Sequence, residues 1–162
     1  MSKALNIAQY IYDKGYRSNL QLNKLLYLSF GFYGAATYGR HLFEDEIQAW
    51  KLGPVIPNVY FAFKANSFAT KEFSYNLSPI EKEKVDEVLS FYGNKAPFLL
   101  VEITHQKNTP WSNSYKEGIK NIKIEKEAII NYYKNFLYIS NELVDVMSDK
   151  RFKEIIRDLS KT

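Results

Sequence analysis

Between Leu20 and Tyr38 the chain carries a run that is apolar around most of a helix's circumference, and this run constrains the fold more than any other feature. Leu22, Leu25, Leu26, Ser29, Phe32, Tyr33 and Ala36 recur at helical spacing, and Leu28 and Phe30 widen the stripe. A helix of this kind has little face to give to water, so it must be central, with neighbours on at least two sides. Gly39 supplies its stop.

The rest of the sequence offers the elements that could enclose it. Ala4, Leu5, Ala8, Ile11 and Tyr12 predict a first helix from Ser2, which can cap it, to about Lys14, before Gly15. From Glu46 the period changes to two: Ile47, Ala49 and Lys51 alternate with Gln48, Trp50 and Leu52, which predicts a short strand that Gly53-Pro54 breaks. Pro57 is placed to start a helix through Tyr60 and Phe63. Residues 66–77 read as a loop, with a short extended piece at Phe73 to Tyr75. Ser78-Pro79-Ile80-Glu81 has the form of a capping box with proline in the first turn, and the helix it opens ends at Gly93. Pro97 opens a short helix to about His105, and Thr109-Pro110-Trp111 repeats the cap-then-proline start for another, ending near Gly118. A brief strand is expected at 122–124, and Ile129, Tyr132, Tyr133, Phe136 and Leu137 mark a further helix. The segment from Ser140 to Leu159 is amphipathic and helical in pattern. The expected fold is therefore mainly α: an irregular compact domain of seven to eight short helices, with at most a small β element near residues 46–52 and 122–124.

Size and composition agree with one such domain. At 162 residues the chain can bury a core without staples, and it has no cysteine for disulfides, thiolate metal sites or a thiol nucleophile. The N-terminal residues lack the form of a secretory signal, and no apolar run is long enough to span a bilayer, so a cytoplasmic protein with no membrane partner is expected. The net charge of +4 permits nucleic-acid contact. Yet lysines alternate with glutamates, as in Glu81-Lys82-Glu83-Lys84, which is the pattern of solvated helix faces.

The sequence carries little recognisable chemistry. The P-loop, the hydrolase nucleophile elbow and the dinucleotide-binding turn are all missing, and Gly31-Phe32-Tyr33-Gly34 sits in a helical pattern where it reads as close helix packing. The two histidines, His41 and His105, have no metal-ligand spacing around them, and no cofactor is expected. His105, ahead of a Pro-Trp turn, could serve as a general base, but its ring is expected to bond a backbone carbonyl at a helix end. Lys24, set among leucines, could be an activated amine, but its stem is expected to lie on the core while the ammonium reaches water or a carboxylate. Trp50 and Trp111 each stand near a turn-forming proline and suit either packing or recognition. The aromatic-rich segments 27–38 and 132–138 carry core spacing rather than that of a base-stacking platform. On these grounds the chain is expected to be a binding protein and not an enzyme.

Several stretches taken together resemble the Panacea domain family, also called SocA-like antitoxins. Leu22-Asn23-Lys24-Leu25-Leu26-Tyr27 followed by Gly31-Phe32-Tyr33 is similar to the family's LxKLLYxxxGxY. Ala49-Trp50-Lys51-Leu52-Gly53-Pro54-Val55-Ile56-Pro57-Asn58-Val59-Tyr60 is similar to AWxxGPVxPxxY. Leu100 to His105 with Thr109-Pro110-Trp111 resembles the family's L, then THxxxxPW. Order and spacing agree over about residues 4–138. The resemblance implies an antitoxin domain over residues 1–140, with 141–162 as a C-terminal helical extension outside it, either packed on the domain or used for partner contact.

It also implies a partner: a cognate toxin protein, bound directly, as in toxin–antitoxin modules of bacteria and phages. One branch of the family delivers its toxin to a AAA+ protease. The motif residues Lys24, Tyr27, Trp50, Gly53, Pro54, Pro57, Tyr60, His105, Pro110 and Trp111 are expected to form the scaffold rather than the variable contact surface. Gly53 and Pro54 should fix a turn that aims Trp50 and Tyr60, and Pro110 should place Trp111 close to His105. The alternative function is a basic nucleic-acid-binding or regulatory protein of a phage or mobile element. That reading gains if Lys116, Lys120, Lys123, Lys126, Lys150, Arg151, Lys153 and Arg157 share one face.

Overall fold

The Ser18 hydroxyl accepts from the Gln21 amide and caps the long apolar helix α2, Asn19–Ala36. In the computed structural model, which describes residues 2–135, every residue from Leu22 to Gly31 is buried. Around α2 lie α1 (Lys3–Asp13), α3 (Pro57–Lys64), α4 (Pro79–Tyr92) and α5 (Pro97–His105), all in contact with it. A short α6, Pro110–Ser114, packs on α5, and a seventh helix, α7, is described over residues 126–135. The central position expected of α2 is the one it has. The predicted segment from Ser140 onward, with Phe136 and Leu137, lies outside the described residues.

The helix starts follow their local chemistry. Ser2 caps α1 by accepting from the Leu5 amide. Ser78 and Glu81 form the predicted capping box of α4, and Lys3 ties that glutamate to α1 through an ion pair. Thr109 caps α6 with Pro110 in its first turn, though the helix ends at Ser114, short of the expected Gly118. Residues 73–75 form no strand. One close approach explains two glycines of α2: a Cβ at Gly31 would overlap the ring of Tyr133, and one at Gly34 the side chain of Ile130. The pair therefore lets α7 pack near van der Waals limits against α2, as the sequence suggested.

The sheet is larger than expected by one strand. β1 (Gln48–Trp50) lies between β2 (Gly53–Val55) and β3 (Ile122–Lys123), antiparallel to both. Trp50 pairs with Gly53 and Gln48 with Val55, so Lys51 and Leu52 make a two-residue hairpin turn. Gly-Pro reads as a strand breaker, but β2 is an edge strand, where proline's missing N–H need not cost a ladder bond. Among the described residues no helix is long and apolar enough to cross a membrane.

Candidate functional site: the clamped hairpin

Three helices converge on the β1–β2 hairpin, and each sends a side-chain donor to one of its carbonyl oxygens. From α2, the Lys24 ammonium donates to the Pro54 carbonyl at 3.0 Å. At the end of α5, His105 bonds the Lys51 carbonyl through Nε2, also at 3.0 Å. Because a carbonyl can only accept, that nitrogen carries the proton. From α6, the Trp111 indole N–H donates to the Trp50 carbonyl at 2.6 Å. A hairpin turn facing solvent would satisfy these carbonyls with water; here residues from distant parts of the chain do so, which fixes the turn rigidly to the helical body.

Asn23 adds a fourth tie. Its side-chain oxygen accepts from the Ile56 amide at 2.9 Å, at the residue that caps α3 without a side-chain bond of its own. Its amide group is held in turn by the backbone and side-chain oxygens of Asn19. Sequence reasoning passed over Asn23; the signal was a short polar side chain inside an otherwise apolar run. It also passed over Thr104, whose hydroxyl packs beside Gly53 while bonding the Leu100 carbonyl at 2.9 Å.

Gly53 stands where this packing is tightest. Its φ of +113° is in the region that L side chains rarely adopt, and a Cβ there would lie 2.8 Å from Lys24 Cε and 3.2 Å from Thr104 Oγ1. Pro54 and Pro57 then carry the chain through β2 into the first turn of α3. The turn does aim Trp50 and Tyr60 at each other, with ring centroids 4.8 Å apart and edge-to-face, and Gln48 accepts from the Trp50 indole N–H at 2.9 Å. His105 stacks on Trp111 at 3.5 Å, as Pro110 was expected to arrange, and Tyr115 stacks on Trp111 at 4.8 Å. Of the ten motif positions, Tyr27 alone belongs elsewhere: it is buried against Tyr133 of α7, with ring centroids 6.0 Å apart.

The electrostatics of the clamp are unusual for a cation. Lys24 is fully buried, and desolvation lowers its pKa to about 7. The expectation that its ammonium would reach water or a carboxylate is corrected: it reaches the Pro54 carbonyl, because the hairpin closes over it. His105 is also held below the usual histidine range, mainly by desolvation and further by Lys24, against the opposing pull of its bond to the Lys51 carbonyl. It bonds a carbonyl as expected, but one of the hairpin rather than of its own helix end. His41 plays no part here. It sits between Glu44 and Glu127, at 3.2 and 2.9 Å, and these carboxylates raise its pKa, the hydrogen bond that Glu127 accepts foremost.

Outward, the same hairpin borders two grooves. One, of about 470 Å³, is lined by Ala49, Trp50, Lys51, Phe61, Tyr115 and Ile119 among others. The second, of about 480 Å³, is lined by Trp50, Lys51, Leu52, Tyr60 and Lys64 and reaches inward to Asn23 and Lys24 of the clamp. Among the described residues no group of histidines and carboxylates is arranged to hold a metal ion.

The family described as Antitoxin SocA-like, Panacea domain, matches residues 22–112. Antitoxin SocA of Caulobacter vibrioides (strain NA1000 / CB15N) is 33% identical over 109 residues, covering 58% of this chain and 57% of that protein. The chain thus matches little more than half the length of this curated relative. No solved structure matches. The hairpin, the three donors that grip it and the Tyr27 position all fall inside the matched span, and the chain belongs to the SocA-like antitoxin, Panacea domain, family.

Proposed function

We propose that this chain is an antitoxin that neutralises a cognate toxin protein by direct contact, in the cytoplasm and without catalysing a reaction. The observation that carries the reading is the family match together with the similarity to Antitoxin SocA. The geometry supports it in one respect. Lys24 and His105, the side chains with most chemical promise, are bonded to backbone carbonyls and pair with no carboxylate among the described residues. That arrangement suits a rigid recognition scaffold. The finer reading, delivery of the toxin to a AAA+ protease, is a separate step built on the same contact.

Co-expression with the product of the neighbouring gene tests this. The product should arrest growth alone and be harmless when this chain is present; persistent toxicity sinks the idea. Following the toxin's half-life then separates occlusion, which leaves it unchanged, from protease delivery, which shortens it. A nucleic-acid reading draws on Lys116, Lys120 and Lys123, which are exposed along residues 116–123, and on half-buried Lys126, while Lys150, Arg151, Lys153 and Arg157 lie outside the described residues. It predicts a mobility shift at low salt that fades steeply as salt rises.

A further inference from the structure

We propose that the outer face of the β1–β2 hairpin, together with Phe61 and Ile119, is the surface on which this chain docks its toxin, and that the toxin segment seated there is acidic with an apolar anchor. The inference rests on the antitoxin reading and assigns that reading a place. Phe61, Leu52 and Ile119 are 59%, 56% and 55% exposed, large values for apolar side chains, and all three line the two grooves beside the hairpin. The grooves share Trp50 and Lys51, so together they form one surface across the turn.

Charge selects the partner. Exposed Lys51, Lys64 and Lys120 line these grooves, Lys64 with its ammonium 5.4 Å over the Tyr60 ring, and among the described residues no carboxylate does; Glu117 stands in the neighbouring loop outside the lining. The lysines in ion pairs among the described residues are Lys3, Lys71, Lys82 and Lys84, all elsewhere. Covering the groove lysines with a neutral or basic surface would strip water from cations and return no partner, whereas an acidic segment compensates each one. The apolar component argues for protein over nucleic acid. Leu52 and Ile119 are aliphatic and cannot stack a base, and Phe61, the exposed aromatic of the surface, is already engaged edge-to-face by Trp50 and Tyr60. Rigidity completes the case: the three carbonyl bonds hold the turn in place before any partner arrives, which lowers the ordering cost of binding.

The test uses the full chain and the neighbouring gene product. The double variant Ile119→Asp/Lys120→Glu should weaken binding at least about 30-fold and restore toxicity, with an unchanged melting temperature. Phe61→Ser should weaken it about 10-fold, and Phe98→Ser, an exposed residue away from both grooves, should leave it unchanged. If the double variant melts early, Lys51→Glu/Lys120→Glu decides instead, since both side chains are exposed. Failure of the wild-type chain to bind the neighbouring product defeats the antitoxin reading itself. Binding by wild type that survives in all these groove variants overturns this inference alone. So does a result in which the variants lose affinity for a single-stranded RNA oligonucleotide yet bind the toxin as before.

Discussion

The two sides of the β1–β2 hairpin differ in kind. On the inner side the carbonyls are taken by Lys24, His105 and Trp111 from three different helices, the Lys24 bond fully buried and the other two nearer to solvent. The outer side exposes Leu52 and borders Phe61 and Ile119, with lysines between them that form no ion pair among the described residues. The family motif lies mostly on the inner side. A motif can therefore describe how a binding loop is held while saying little about what it binds, and the residues that catch the eye in the sequence need not be the ones that meet a partner.

The largest test of the inner side is Gly53→Ala. The new Cβ would need a positive φ and would press on Lys24 Cε at 2.8 Å. Destabilisation on the order of 3 kcal/mol is expected, measured as a lower denaturant midpoint at unchanged slope. A change under about 0.5 kcal/mol would mean that the hairpin is not gripped as described.

Next in size is the pH dependence from Lys24. Its folded pKa, lowered to about 7, lies below the ordinary value of 10.5, so over the interval between them the unfolded chain binds the extra proton. Stability should accordingly rise with pH, by roughly 2 kcal/mol from pH 7.5 to pH 9.5. Burial raises the pKa values of Tyr27 and Tyr92, which pull stability the other way above about pH 10, so the window stops short of them. Lys24→Met should flatten the slope. Urea titrations at four or five pH values read both outcomes.

How much of this was legible in the sequence depends on range. Helix starts were, because Ser2, Ser78 and Thr109 act on amides three residues away. So was the enclosure of α2, since a run buried from Leu22 to Gly31 has no other solution. Strand β2 was not, because whether Gly-Pro ends a strand or forms an edge depends on what lies beside it. The partners of Lys24 and His105 were equally hidden. A side chain's type shows that it needs a hydrogen-bond partner, but a carbonyl 30 or 54 residues away is supplied only by the fold. The outer surface was the least visible of all, since Phe61 and Ile119 follow no period and gain meaning only from exposure.

A middle-sized effect should come from Trp111→Phe. The ring would still stack on His105, but the Trp50 carbonyl would lose its donor, costing about 1.5 kcal/mol in thermal or urea unfolding. His105→Ala should cost a similar amount through the Lys51 carbonyl and the lost stack. A cost well above that sum in the double variant would show that the two donors hold the turn as a unit.

The smallest effect on stability is the one that separates the two sides most sharply, and it falls on a residue belonging to both. Lys51 gives its backbone carbonyl to His105 inside and its exposed side chain to the grooves outside. Since the clamp engages only the backbone, Lys51→Ala should change unfolding stability by less than about 0.5 kcal/mol. If the outer surface takes an acidic partner, the same substitution should lower the association rate and make it less sensitive to salt. Stopped-flow association at low and high salt, set beside a urea melt, measures the two sides in one variant. A destabilised Lys51→Ala would show that the side chain takes part in holding the turn, and the division between scaffold and contact surface would then run through the residue's backbone bond as well.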